Sequence, residues 1–199
     1  MSEEQVKSGY GRRGTSFINL GINQCFIKDI QPSKYSEGYD YRFDITLGFP
    51  NVEYERTWRP GFKFKRNVTT KKLISPDQSP VKSFYRFVDQ LGLSSLSLNE
   101  NGEIVFDTGE VCEDIVGYLK TKLRMGDEEI LYVCYIEPNY NKNTGKTYQR
   151  IVCVGDPTNS AALAQFENWV QYIEANQNNT SNHQDNSESS EPDTSDIPY

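Results

Sequence analysis

The clearest pattern along the chain is a strict alternation of apolar and polar residues over positions 39–47. Tyrosines, Phe43, Ile45 and Leu47 occupy every second position, and charged or hydroxyl side chains lie between them. A period of two residues is typical of a strand that buries one face. Residues 17–30, 52–59 and 62–68 also have strand-like composition. A bulge or bend is expected at Gly21 and at Pro60-Gly61.

Helical periodicity begins at Ser79 and Pro80, which predict the N-cap and the first position of a helix. Apolar residues then recur at helical spacing up to Gly92, where we expect this helix to end. A second helix is predicted over residues 110–123 and a third over residues 160–174. Between the first two helices, Asn101-Gly102 is typical of the turn in a short hairpin.

The strongest hairpin signal lies after the second predicted helix. Residues 129–136 and 147–155 are rich in β-branched and aromatic side chains, and the polar residues 137–146 separate them. Because Asn, Pro and Gly recur in this interval, the pattern predicts two strands joined by a long loop.

Together these elements predict a mainly β protein with accessory helices. The arrangement that fits best is an OB-fold, a five-stranded partly closed barrel with a helix between its third and fourth strands. In OB-folds the face of the middle strands and the hairpin loops bind oligonucleotides and oligosaccharides. A β-sandwich is the alternative, because periodicity does not give the order of the strands in a sheet.

Both ends of the chain differ from this body in composition. Residues 1–16 are polar and glycine-rich, which predicts a flexible N-terminal arm. Residues 176–199 are mostly Asn, Gln, Ser, Thr and acidic residues, with almost no apolar side chain before Ile197. Such a segment cannot bury enough surface to offset its ordering entropy, so we expect a disordered acidic tail. The predicted domain is therefore 17–175.

Charge is also unevenly distributed. The 199 residues include 28 Asp and Glu against 21 Lys and Arg, which gives a formal net charge of -7. All the basic residues lie in 1–150 together with 20 of the acidic ones, so the body is nearly neutral. The overall acidity therefore does not argue against a nucleic-acid partner for the body.

Composition also argues against several classes of protein. No segment approaches the ~18 apolar residues of a membrane span, and the N-terminus lacks a signal-peptide pattern, so we expect a cytoplasmic protein without a membrane partner. The four cysteines lack metal-ligand spacing, and Cys134 and Cys153 are expected to be buried thiols. The only histidine, His183, lies in the tail. We therefore expect neither an enzyme nor a cofactor.

A basic segment with interleaved aromatic residues is the main functional signal. Between Arg56 and Arg86 there are nine Lys and Arg residues and one acidic residue, Asp77. Cations bind phosphates, and exposed aromatic rings stack on unpaired bases with about 1–3 kcal/mol per base. The candidate DNA-binding residues of this segment are Arg56, Trp58, Arg59, Phe62, Lys63, Phe64, Lys65, Arg66, Lys71 and Lys72.

The local pattern of this segment has two interpretations. Phe62 and Phe64 fall on one face of the predicted strand, and Lys63 and Lys65 fall on the other. If the Phe face is core, the Lys face presents a row of cations to phosphates. The alternative is a solvated cationic strand without a ligand.

Further candidates lie on the long hairpin and near the second strand. The last inter-strand loop of an OB-fold contacts its ligand, which makes the basic and aromatic residues of this hairpin candidates. These residues are Tyr140, Lys142, Lys146, Tyr148 and Arg150. Tyr35, Tyr39 and Tyr41 offer more stacking surface, although Tyr41 continues the apolar face of Ile45 and is equally well explained as core.

The end of the given sequence carries a more specific motif. Scattered carboxylates precede Ile197, Pro198 and Tyr199. This motif resembles the tail of bacterial single-stranded-DNA-binding proteins, which end in an acidic run and Ile-Pro-Phe, and the acidic, aromatic-ended tails of phage counterparts. Here Tyr replaces Phe, and Thr194 and Ser195 interrupt the acidic run. The resemblance implies a tail that docks replication and repair proteins through Asp193, Asp196, Ile197, Pro198 and Tyr199.

The expected function is therefore non-catalytic binding of single-stranded DNA with little sequence specificity, during replication, recombination and repair. The resemblance favours a phage-encoded protein in the host cytoplasm, and self-association along DNA is left open. The alternative is a viral structural or assembly protein with a β-sandwich body and an acidic tail. Quenching of Trp or Tyr fluorescence by oligothymidylate would distinguish the two, because only base stacking predicts it.

Overall fold

A computed structural model describes residues 18–50 and 52–181. The predicted N-terminal arm, 1–16, lies outside the described residues, as does most of the predicted tail, including the candidate docking residues at its end. Within the described ranges, no helix is long and apolar enough to cross a membrane.

The strands and helices follow one another in the order expected from the sequence, and β4, β5 and β6 are short. The elements are β1 (Gly21–Pro32), β2 (Tyr41–Phe49), β3 (Val52–Trp58), β4 (Gly61–Phe62), α1 (Ser79–Gln90), β5 (Leu96–Leu98), β6 (Ile104–Phe106), α2 (Ile115–Lys122), β7 (Tyr132–Asn141), β8 (Lys146–Gly155) and α3 (Ser160–Ser181). The prediction of a mainly β protein with accessory helices is confirmed.

The five long strands form an antiparallel half-barrel sheet in the order β3-β2-β1-β7-β8, and β4 pairs with β2. β1 serves two partners: residues 21–25 pair with β7, and residues 26–32 pair with β2. Because β1 changes partner along its length, the sheet coils and its two end strands approach each other. Arg56 on β3 donates from Nη2 to Gln149 Oε1 on β8 at 3.2 Å.

The main core fills the concave side of this half-barrel. The predicted alternation in β2 is confirmed for Phe43, Ile45 and Leu47, which are buried. Helix α1 closes the core with Phe84 and Phe87, whose rings contact those of the β-strand aromatics.

Strand β7 is buried on both faces over its first six residues, 132–137. Cys134 and Ile136 belong to the main core, whereas Tyr135 packs with Cys153, Phe166 and other residues of β8 and α3 in a separate cluster. Helix α3 therefore covers the convex face of the β7–β8 hairpin through its own small core. Cys134 and Cys153 are buried free thiols, as predicted.

Two predicted strand boundaries are wrong, and side-chain hydrogen bonds explain the first. The strand predicted over 62–68 ends at Phe62, because the Phe64 and Lys65 amides donate to Asp40 Oδ2 at 2.6 Å and to Gln78 Oε1 at 2.7 Å instead of to a partner strand. In the long hairpin, residues 137–141 pair with 146–150, so the loop is only 142–145. Gly145, at φ +64°, provides the left-handed conformation that this tight turn requires.

Helix ends also differ from the predicted ones. Gln78 rather than Ser79 is the N-cap of α1, and it makes no side-chain capping bond. Helix α2 begins later than predicted, after Asp114, whose carboxylate accepts from Gly117 N at 2.8 Å. Helix α3 continues to Ser181, past its predicted end at 174. The hairpin predicted at Asn101-Gly102 is confirmed as β5–β6.

The assignment of Trp58, Phe62 and Phe64 as base-stacking residues needs correction. These side chains are only 7%, 3% and 6% exposed, and their rings pack against Phe87 and Phe84 of α1. Tyr41 is half-buried, and its hydroxyl accepts from Ile104 N at 3.2 Å. The rings of Trp58, Phe62 and Phe64 belong to the core because α1 covers the face of the sheet on which they lie.

Replacement of the buried indole tests this packing. Trp58→Ala should lower the free energy of unfolding by about 3–5 kcal/mol, because it removes a large side chain from a core that cannot collapse fully. Chemical denaturation measures the change. Tyr140→Ala, at a 61% exposed position, is the control and should change stability by less than about 0.5 kcal/mol. A small effect of Trp58→Ala would contradict the burial of this ring.

Candidate nucleic-acid interface

Two exposed tyrosines stand on the loop between β1 and β2. Tyr35 is 55% exposed and Tyr39 is 42% exposed. Arg42 contacts both residues: its Nη1 donates to the backbone carbonyl oxygen of Tyr35 at 2.7 Å, and its guanidinium lies 4.6 Å from the centre of the Tyr39 ring. The Tyr39 ring also rests on Gly61, where an added Cβ would lie 3.0 Å from the ring. Both rings are therefore partly exposed, and Arg42 and Gly61 support that of Tyr39.

Cations surround these two rings. Lys34 Nζ lies 5.4 Å and the Arg59 guanidinium 5.7 Å from the centre of the Tyr35 ring. Lys63 reaches the same loop, since its Nζ would lie 3.4 Å from a Cβ added at Gly38. We call the group Lys34, Tyr35, Tyr39, Arg42, Arg59 and Lys63 the loop cluster. It combines exposed aromatic faces with positive charge.

A cleft of about 540 Å³ continues from the loop cluster. Its walls are formed by β3, the β3–β4 connection, α1, β8 and α3, and Arg59 belongs to both the cleft and the loop cluster. Four arginines line it: Arg56, Arg59, Arg86 and Arg150. We call this the arginine cleft.

Two of these arginines are neutralised by carboxylates. Arg150 Nε donates to Glu137 Oε1 at 2.8 Å, and the Glu137 side chain is only 9% exposed. Arg59 Nε lies 3.2 Å from Asp44 Oδ1, so the two side chains form an ion pair. This contact is not a hydrogen bond, and Asp44 Oδ1 is buried without a hydrogen-bond partner.

The other two arginines form no ion pair with any carboxylate in the described ranges. The Arg86 guanidinium lies 3.4 Å from the centre of the Trp169 ring, and burial lowers the pKa of this arginine without discharging it. Arg56 lies 4.2 Å from the centre of the Tyr54 ring. The cleft therefore has uncompensated positive charge on two of the elements that line it, β3 and α1.

Buried donors without acceptors also occur in the cleft. Gln90 is 2% exposed, lines the cleft, and its Nε2 has no hydrogen-bond partner. Arg56 Nε is likewise buried and without an acceptor. A buried donor left unsatisfied costs about 1–3 kcal/mol, so the folded protein retains these groups at a cost to stability.

Several predicted phosphate-binding residues have structural partners instead. Arg66 forms an ion pair with Asp40 and donates from Nε to Asn101 O at 2.6 Å, and Lys72 Nζ lies 2.7 Å from Glu100 Oε2. These bonds tie the segment after β4 to the β1–β2 loop and to the turn of the β5–β6 hairpin. Lys65 and Lys71 are exposed, but neither lies in the cleft lining.

The β7–β8 hairpin divides its predicted residues between two faces. Lys146, Tyr148 and Arg150 alternate along β8 and share one face, whereas Tyr140 pairs with Thr147 and lies on the other. Lys142 lies in the turn. Only Arg150 of this group reaches the arginine cleft.

Five residues of the interface were not singled out as site residues from the sequence: Lys34, Arg42, Arg86, Gln90 and Trp169. In the sequence, Arg86 is one of the cations of the basic segment, and Trp169 is an apolar residue of the predicted helix 160–174. Their 3.4 Å contact depends on the packing of α1 against α3, which local periodicity does not report.

Nothing in the described part of the interface suggests metal or nucleophilic chemistry. No group of three or more His, Cys, Asp or Glu residues there is placed to hold a metal ion. Cys153 lines the cleft, but burial raises the pKa of its thiol to about 12, so it remains protonated at neutral pH.

Comparison with known proteins adds no assignment. No protein-family model matches this chain, and a search of curated proteins finds no match.

Proposed function

We propose that this protein binds single-stranded DNA through an OB-type barrel. The strand order supports the barrel type: with β4 and the β5–β6 hairpin treated as additions, the sheet runs third, second, first, fourth, fifth, and α1 lies between the third and fourth strands. OB-folds bind ligands on the second and third strands and in the loops that follow strands one and four. In this chain those loops carry Tyr35, Tyr39 and Lys142.

The observation that carries the proposal is the loop cluster. Two tyrosine rings are exposed there, Arg42 packs on that of Tyr39, and Lys34, Arg59 and Lys63 lie around the loop. Unpaired bases stack on such rings regardless of sequence, while the cations neutralise phosphates. Paired bases are already stacked within a duplex, so the rings favour single strands and give little sequence specificity.

The tail has a separate role in this proposal. Asp193, Asp196, Ile197, Pro198 and Tyr199 resemble the docking motif of single-stranded-DNA-binding proteins, so we assign them to the recruitment of replication and repair proteins. Helix α3 connects the arginine cleft to the start of this segment: from Trp169 to Ser181 it extends roughly 18 Å at 1.5 Å per residue. Five carboxylates, Asp185, Glu188, Glu191, Asp193 and Asp196, follow Ser181 in the sequence.

The salt dependence of binding tests the cationic contacts. Lys34→Met combined with Lys63→Met should reduce the slope of log affinity against log salt by about 1.4, because each phosphate contact on a single strand contributes about 0.7. Fluorescence titration with oligothymidylate at several salt concentrations measures it. Lys120→Met combined with Lys122→Met, on α2, makes the same change in net charge. If the salt slope of both double variants decreased by the same amount, specific phosphate contacts by Lys34 and Lys63 would be ruled out.

Removal of a stacking ring should reduce affinity without unfolding the protein. Tyr35→Ala and Tyr39→Ala should each weaken oligothymidylate binding by about 1–3 kcal/mol. Stability should change by less than about 1 kcal/mol, because both rings are exposed. Tyr85→Ala, an exposed position on α1 that does not line the cleft, is the control. Unchanged affinity in both loop variants would argue against stacking there.

The acidic segment should compete with DNA for the cations. Deletion of residues 182–199 should raise affinity for oligothymidylate, most at low salt, where screening is weakest and a tethered group has a local concentration around millimolar. Replacing the five carboxylates by amides should have the same effect while keeping Ile197, Pro198 and Tyr199. Binding isotherms at low and high salt measure both. Equal affinity of all three proteins at low salt would refute the competition.

A further inference from the structure

We infer that the arginine cleft holds one nucleotide of the bound strand, with its phosphate between Arg56 and Arg86 and an acceptor atom of its base at Gln90. This inference rests on the proposed binding of single-stranded DNA. It adds a buried site for one nucleotide to the stacking surface of the loop cluster.

The polar groups of the cleft specify the chemistry of the ligand. Arg56 and Arg86 lack carboxylate partners, and the buried Nε of Arg56 and Nε2 of Gln90 lack acceptors. An anionic ligand rich in hydrogen-bond acceptors can bind the two arginines, and the two buried donors meet its acceptors once their side chains turn toward the cleft. A nucleotide has these properties: its phosphate oxygens suit guanidinium groups, and the carbonyl oxygens of thymine, cytosine or guanine suit an amide donor.

The shape of the cleft agrees with this ligand. Its volume of about 540 Å³ lies in the range of pockets that hold small molecules, roughly 300–1,000 Å³. Apolar surface from Trp58, Phe87 and Ile151 lines the cleft beside the arginines. A base can therefore rest on apolar atoms while its polar edge faces Gln90.

The position of Arg59 connects the two parts of the interface. It lines the cleft and also lies 5.7 Å from the centre of the Tyr35 ring. None of the residues that line the cleft is Asp or Glu. A strand whose bases stack on the loop cluster can therefore continue into the cleft past Arg59 without meeting a carboxylate of the lining. One base turned out of the stack can enter the cleft.

The test scans an abasic site through an oligothymidylate of about ten nucleotides, a length within the usual range for one OB barrel. For the unaltered protein, one position should lose about 5- to 150-fold in affinity, the loss expected when a well-held base is removed. Gln90→Met keeps the side-chain volume but removes the donor, and Arg56→Lys keeps the charge but removes the buried Nε. Each variant should bind the intact oligonucleotide more weakly than the unaltered protein does. At that one position, the fold-decrease in affinity caused by the abasic site should be at least three times smaller than in the unaltered protein.

Lys63→Met is the matched control, because it removes a cation outside the cleft. It should weaken binding to every oligonucleotide by the same factor and leave the abasic profile unchanged. Thermal unfolding of each variant confirms that it is folded, and if Gln90→Met does not fold, Arg56→Lys alone decides.

The two proposals fail in different ways. If the unaltered protein binds no single-stranded oligonucleotide, both the proposed function and the nucleotide site are overturned. If it binds tightly but the abasic profiles of the cleft variants equal that of the unaltered protein, the nucleotide site alone is overturned.

Discussion

The division of β1 between two partners is the constraint on which the rest of the structure depends. Its first part pairs with β7 and its second part with β2, with an irregularity between Ile27 and Asp29. A strand that serves both halves of a sheet must bend, and the sheet coils with it. The coiling leaves β3 and β8 side by side, joined through Arg56 and Gln149 rather than by a continuous ladder. The arginine cleft occupies this incomplete closure.

Local sequence patterns predicted much of the fold. Alternation of apolar and polar residues predicts β2, helical spacing predicts the three helices, and strand-like segments around turn residues predict both hairpins. The prediction from these patterns failed where side chains took the backbone hydrogen bonds that a strand would have needed. Asp40 and Gln78 accept the amide hydrogens that a continued β4 would have given to a neighbouring strand. It also failed for Trp58 and Phe62, because aromatic residues beside basic ones have the same pattern whether the rings stack on a ligand or on a helix.

The candidate site was only partly predictable, because its decisive contacts join distant parts of the chain. The basic segment correctly indicated where cations concentrate, but it did not show that Arg66 and Lys72 are engaged in ion pairs. Nor could the sequence show that Gln90, at the end of α1, is buried with an unused donor. Unpaired buried donors and charges lower stability, and proteins keep such groups mainly where they act on something else.

Helix α3 has a consequence for the motions of the protein. It is attached through its own small cluster around Phe166 and Val170 rather than through the main core. Helices held by few apolar contacts open at lower free energy than the central sheet, so backbone amides of α3 should exchange with solvent more readily than those of β1. Because Trp169 forms part of the cleft wall, each such opening also dismantles the cleft. The lifetime of a buried ligand is then bounded by the local unfolding rate of one helix.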